Sequence, residues 1–72
     1  MHLYKDGKIE GEFNGWNENA IFELTDGSRW QQKYYKYRYK YKYRPSAKIW
    51  ETGGVYYLEV EDMDEKIEVN KL

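Results

Sequence analysis

The chain contains no cysteine, a single histidine and a single proline, and none of its apolar runs is long. Without cysteine there is neither a disulfide staple nor a thiolate metal site, and the redox compartment is constrained only so far as to admit the cytoplasm. The one histidine, His2, stands beside the amino end, where fraying deprives a nucleophile–histidine arrangement of an ordered base. No stretch approaches the ~20 apolar residues of a spanning helix. The opening MHLYKDGKIEGEF has neither the apolar centre of a signal peptide nor the arginine-rich amphipathic character of a transit peptide. A soluble, cytoplasmic protein without membrane contact is the expectation.

What is present is aromatic and charged. At 72 residues the chain predicts one β domain over residues 1–72, in a size range where folding buries only ~60% of the surface and stability is marginal. Nine tyrosines, three tryptophans and two phenylalanines supply much of the missing core. A homo-oligomer is the other expected source of burial. The net charge of −1 conceals a segregation. Between Arg29 and Lys48 stand eight cations and no carboxylate, whereas the remainder holds thirteen carboxylates against four lysines. Beyond a Debye length of ~8 Å the two halves cancel, so only local contact can exploit the basic middle.

The basic middle is also the strongest structural signal. Tyr34 to Arg44 reads YYKYRYKYKYR, with tyrosine and cation alternating from Tyr35 onward. A period of two is a strand. Tyr35, Tyr37, Tyr39, Tyr41 and Tyr43 form one ladder, and Lys36, Arg38, Lys40, Lys42 and Arg44 form another on the opposite face. Elsewhere the alternation is of the half-buried kind: Ile9, Gly11 and Phe13 against Lys8, Glu10 and Glu12, then Phe22 with Leu24, Tyr56 with Leu58 and Val60, and Ile67 with Val69. Asn14-Gly15, Asp26-Gly27 and Gly53-Gly54 are turn signals, with a type I′ hairpin expected at Asp26-Gly27. Pro45 ends ladder pairing after Arg44, and Ala47 to Glu51 resumes it. No helical period persists. The expected fold is all-β, a small SH3-like or barrel-like antiparallel domain of five to six strands. One strand, from Arg29 to Arg44, would be ~53 Å long if straight, so it must bend, and a parity switch at Tyr34-Tyr35 predicts a bulge or break there.

The segments FNGW, AIFELTDGSRWQQ and YKYRYKYKYRP, between Glu12 and Pro45, resemble a set of short bacterial proteins carried on mobile gene cassettes, integron cassettes among them. These share W-Q-Q followed by alternating tyrosines and a proline, and the resemblance extends through YYLEV and EKIEV. It implies a small β fold and brings no activity or catalytic residue with it.

Catalysis has little support in the residues, and a non-enzymatic protein without cofactor or metal is expected. Asp62, Asp64 and Glu65 form an acidic run, yet lack the spacing and distal glutamate of a calcium loop, so the run reads as a solvated turn. The tyrosine and cation ladders admit two uses. One is self-association or protein contact through the tyrosines, with the cations balanced by Glu10, Glu12, Glu59, Glu61 or Glu68 on adjacent strands. The alternative is single-stranded nucleic acid, held by Lys36, Arg38, Lys40 and Lys42 and stacked on Tyr37, Tyr39 and Tyr41. Trp30 and Trp50 are expected in the core. Trp16, in an Asn/Gly loop, is counted with the ladders as candidate binding surface, and Gln31 and Gln32 are expected to satisfy buried carbonyls.

Overall fold

Alternation becomes strand wherever one parity finds an apolar neighbour to cover it. In the computed structural model, which describes residues 1–72, this yields eight strands and no helix: β1 (His2–Lys8), β2 (Glu12–Trp16), β3 (Ile21–Glu23), β4 (Arg29–Gln32), β5 (Arg38–Tyr43), β6 (Ser46–Thr52), β7 (Val55–Val60) and β8 (Lys66–Lys71). Every pairing is antiparallel. Phe22 of β3, Ala47 and Ile49 of β6, Leu58 and Val60 of β7, and Ile67 and Val69 of β8 turn inward. They join Ile9, Phe13, Trp16, Leu24, Trp30 and Met63 in one core cluster. No helix is long and apolar enough to cross a membrane.

Six strands make one sheet in the order β1-β6-β7-β8-β4-β3, and β2 and β5 pair separately as a two-stranded ribbon. The two ends of the larger sheet meet. Ile9, just beyond β1, bridges Leu24, just beyond β3. The Glu10 N–H donates to the Glu23 carbonyl at 2.8 Å and the Thr25 N–H to the Lys8 carbonyl at 2.9 Å. The sheet thereby closes on its core as a barrel, which removes its long exposed edges. The radius of gyration is 10.8 Å and the longest extent 30 Å, too short for an unbroken strand from Arg29 to Arg44.

The strand count exceeds the expected five to six because glycine and polar residues divide two runs. Lys8–Phe13 breaks at Gly11, whose φ of 81° ends one direction of travel and starts another. The amino-terminal residues form a full strand in which His2 pairs with Glu51, so His2 is not frayed. The single long bent strand is two strands in different sheets: β4 lies between β3 and β8, the chain leaves it at Lys33, and β5 joins β2. The break therefore spans residues 33 to 37 rather than one bulged residue. At Asp26-Gly27 only Gly27 has positive φ, and the Gly27 N–H donates to the Leu24 carbonyl at 2.9 Å. That is a type I turn with a glycine bulge in place of type I′.

Candidate functional site

The ribbon is set in place by a buried glutamine. Gln32, 2% exposed, ends β4 where the chain departs from the barrel. Its amide Nε2 donates to the Tyr34 carbonyl at 2.9 Å and the Lys36 carbonyl at 3.1 Å, and its Oε1 accepts from the Asn17 N–H at 2.9 Å. One side chain thus satisfies two carbonyls of the crossover and ties it to the Asn17 N–H just beyond β2. The crossover delivers β5 alongside β2, where Gly15 lies against it. A Cβ on Gly15 would stand 1.9 Å from the Arg38 carbonyl oxygen. Asn14-Gly15 is therefore no turn: β2 continues through it with a bulge, and glycine is required there for a positive φ and the close approach of two backbones.

On the inner face of β5 the cations meet carboxylates of the chain itself. Lys36 reaches Glu65 at 2.7 Å, Arg38 reaches Asp64 at 3.0 Å, Lys42 pairs with Asp62 and lies 3.6 Å from Glu61, and Arg44 reaches Glu10 at 3.3 Å. Lys40 donates to the Asp62 carbonyl at 3.2 Å, and Lys33, at the start of the crossover, pairs with Glu68 at 3.0 Å. Most of these partners come from the β7–β8 turn. Met63 is buried in the core cluster and pins that turn, so Asp62 and Asp64 on either side of it face the cations. The Lys42 ammonium, by hydrogen bond first and charge second, holds Asp62 below the usual carboxylate range, and Arg38 does the same for Asp64. Glu61 is lowered too, chiefly by the Ser46 N–H. Lys42 is raised in return, mainly by its bond to Asp62. The acidic run is an exposed turn, as expected from sequence, and its carboxylates also form an ion-paired clamp on the cations of β5. Among the adjacent-strand carboxylates expected as partners, Glu10, Glu61 and Glu68 serve, whereas Glu12 and Glu59 do not; Glu59 instead accepts from the Trp50 indole at 2.7 Å.

The tyrosine face is bare. Tyr35, Tyr37, Tyr39, Tyr41 and Tyr43 are 72, 66, 63, 50 and 66% exposed, and Tyr34 is exposed beside them. β5 has β2 as its only strand neighbour. Two open recesses end the ladder, one of about 310 Å³ between Tyr34, Tyr35 and Lys36 and the β8 residues Lys66, Ile67 and Glu68, the other of about 510 Å³ beside Tyr41, Tyr43 and Pro45.

The candidate surface shrinks by one residue. Trp16 is fully buried, edge-on to Phe13 at 5.5 Å and to Phe22 at 5.7 Å, and its indole N–H makes no hydrogen bond within the chain. It is the ribbon's anchor in the core. Trp30 is core as expected, but Trp50 is only half-buried on the outer face of β6, with the Lys66 ammonium 5.8 Å from its ring centre. The residues that sequence reasoning missed are the clamp partners Asp62, Asp64 and Glu65. The signal that identifies them is the methionine between two aspartates, an apolar pin whose flanks must point outward. No protein family, curated protein or solved structure matches the chain.

Proposed function

We propose that this protein works by binding rather than by chemistry, and that the contact surface is the tyrosine face of β5 and its crossover, Tyr35, Tyr37, Tyr39, Tyr41 and Tyr43, taking a protein partner. The observation that carries this reading is the unequal fate of the two ladders. The cations are engaged by the chain's own carboxylates, while five consecutive tyrosines stay at least half exposed. With tyrosine burying ~150–250 Å² when covered, these rings leave roughly 500–800 Å² of aromatic surface open. A contiguous apolar patch above a few hundred Å² marks an interaction site, and tyrosine is the residue enriched there. Against single-stranded nucleic acid stands the geometry: stacking rings and phosphate-seeking cations lie on opposite faces, and the cations already have partners. Membership of the cassette-borne set is part of the same proposal and supplies no ligand. Cytoplasmic location belongs with it.

The test is selection of a random-peptide library on the wild-type chain, counter-selected on a Tyr37→Ser/Tyr39→Ser/Tyr41→Ser variant. Peptides that bind the wild type and lose at least about tenfold in affinity on the variant support the reading. A parallel titration with a fluorescent single-stranded oligonucleotide checks the other class. Tight binding there, weakening with salt at a log–log slope of about −0.7 per phosphate neutralised, would displace the protein reading.

A further inference from the structure

Resting on the reading above, we infer that the partner of the tyrosine face is a second copy of this chain, packed face to face about a two-fold axis beside Tyr39 and Tyr41. An interface of this symmetry presents the same patch twice, so the patch must be complementary to itself. A tyrosine ladder meets that demand better than most surfaces. Each hydroxyl both donates and accepts, and each ring serves as edge or face for another.

Charge points the same way. At the middle of the ribbon the β5 cations Arg38, Lys40 and Lys42 are engaged by the clamp, and the other cationic groups lie at the ladder's ends, Lys8 and Arg44 beside Tyr43 and Lys66 beside Tyr35. The ribbon's one carboxylate in register with the ladder is Glu12, opposite Tyr43 at one end. A two-fold axis near the middle of the ladder sends the two Glu12 side chains to opposite ends of the contact, where they do not repel. Area is sufficient as well. The ~500–800 Å² open on each copy reaches the ~800 Å² per partner of a standard interface at its upper end and clears the ~1,000 Å² total needed for a credible one at its lower.

The alternative of adding a strand to the free edge of β5 is disfavoured by the ribbon's own construction. Register shifts between Phe13 and Gly15, so two β2 steps face three on β5, and a bulge of this kind twists an edge away from further pairing. Face packing needs no edge.

Sedimentation equilibrium on the full chain tests the inference, from about 10 to about 300 µM and at low and high salt. The expected result is a mass approaching twice 8.9 kDa, little changed by salt because the contact is centred on Tyr39 and Tyr41 and the charged groups lie at its ends. Tyr39→Ser/Tyr41→Ser should weaken the dimer at least about a hundredfold while leaving the circular dichroism spectrum intact. Nitration of Tyr39 and Tyr41, read by mass spectrometry, should fall as concentration rises, and that of Tyr4 should not. A mass of 8.9 kDa at the highest concentration overturns the inference. So does a dimer that persists in the double variant or dissociates in high salt. A monomer that still selects tyrosine-dependent peptides loses only the second copy. A monomer that selects none loses the binding reading too.

Discussion

Tyr41 and Lys42 are neighbours on one strand, and the side chain with the larger apolar body is the one left outside. Tyr41 is 50% exposed, whereas the Lys42 side chain is 23% exposed. The difference lies in what each face of β5 meets. Beneath it are Phe13, Trp16 and the Met63-pinned turn, whose apolar pin and acidic flanks suit a lysine: the stem covers carbon and the ammonium reaches a carboxylate. A tyrosine there would need a hydroxyl partner, and the turn's oxygens are better matched by cations. The apolar interior is already filled by the barrel residues. Burial within this ribbon follows complementarity to the clamp, and hydrophobicity alone predicts the wrong face.

The largest effect should come from separating the ribbon's two strands. Gly15→Val forces a side chain onto the Arg38 carbonyl at a backbone φ of 93°. We expect a loss of about 3 kcal/mol or more in chemical denaturation, with both faces of β5 released together. A loss below about 1 kcal/mol would mean that β2 and β5 are not closely paired and that the contrast between their faces has no rigid frame.

Next is the glutamine that holds the crossover. Gln32→Leu keeps the volume but strands the Tyr34 and Lys36 carbonyls and the Asn17 N–H. Some of these groups can turn to water, so about 2–3 kcal/mol is expected, with fast amide exchange at residues 33 to 37. An unchanged exchange pattern would remove Gln32 as the organiser.

Much of the barrel was legible because its strands follow the simple rule of one apolar parity: Phe22 with Leu24, Leu58 with Val60, and Ile67 with Val69 all face inward as their spacing predicts. The ribbon resisted for physical reasons. Both parities of β5 can be covered, one by a core and one by a partner, and spacing does not say which. The clamp residues lie 20 or more positions from the cations they bind, and nothing in a local pattern encodes that distance. Asn14-Gly15 reads as a turn because glycine's tolerance of positive φ serves a turn and a close backbone approach equally. Trp16 beside it accordingly reads as a loop residue.

Acid titration separates the faces more gently. Asp62, Asp64 and Glu61 have lowered folded values, so their contribution is present above the ordinary carboxylate range and is lost as pH falls through the lowered values. The melting temperature should therefore be flat from neutrality to about pH 5 and fall below it. Asp62→Asn/Asp64→Asn should be slightly less stable than wild type at neutral pH and should show a shallower acid limb. A residual slope should remain from Asp26, which Lys5 and Ser28 hold low on the far side of the barrel. If the double variant keeps the full acid limb, the clamp is not what secures the cationic face.

The smallest effect on folding is the most informative about use. Tyr39→Ser and Tyr41→Ser alter rings that are 63% and 50% exposed and make no hydrogen bond within the chain. Strand preference favours tyrosine over serine by at most ~1 kcal/mol, and at dilute, monomeric concentration the loss for each should stay within that limit. By contrast Lys42→Ser, one position along, removes both an ion pair and the stem that shields the ribbon's underside, and should cost more than either tyrosine although lysine is the more polar residue. Thermal melts of the three variants, each at a concentration low enough to avoid self-association, give the ranking directly. Should the tyrosines prove costlier than Lys42, the ladder stabilises the fold of the single chain, and its exposure no longer argues for a partner.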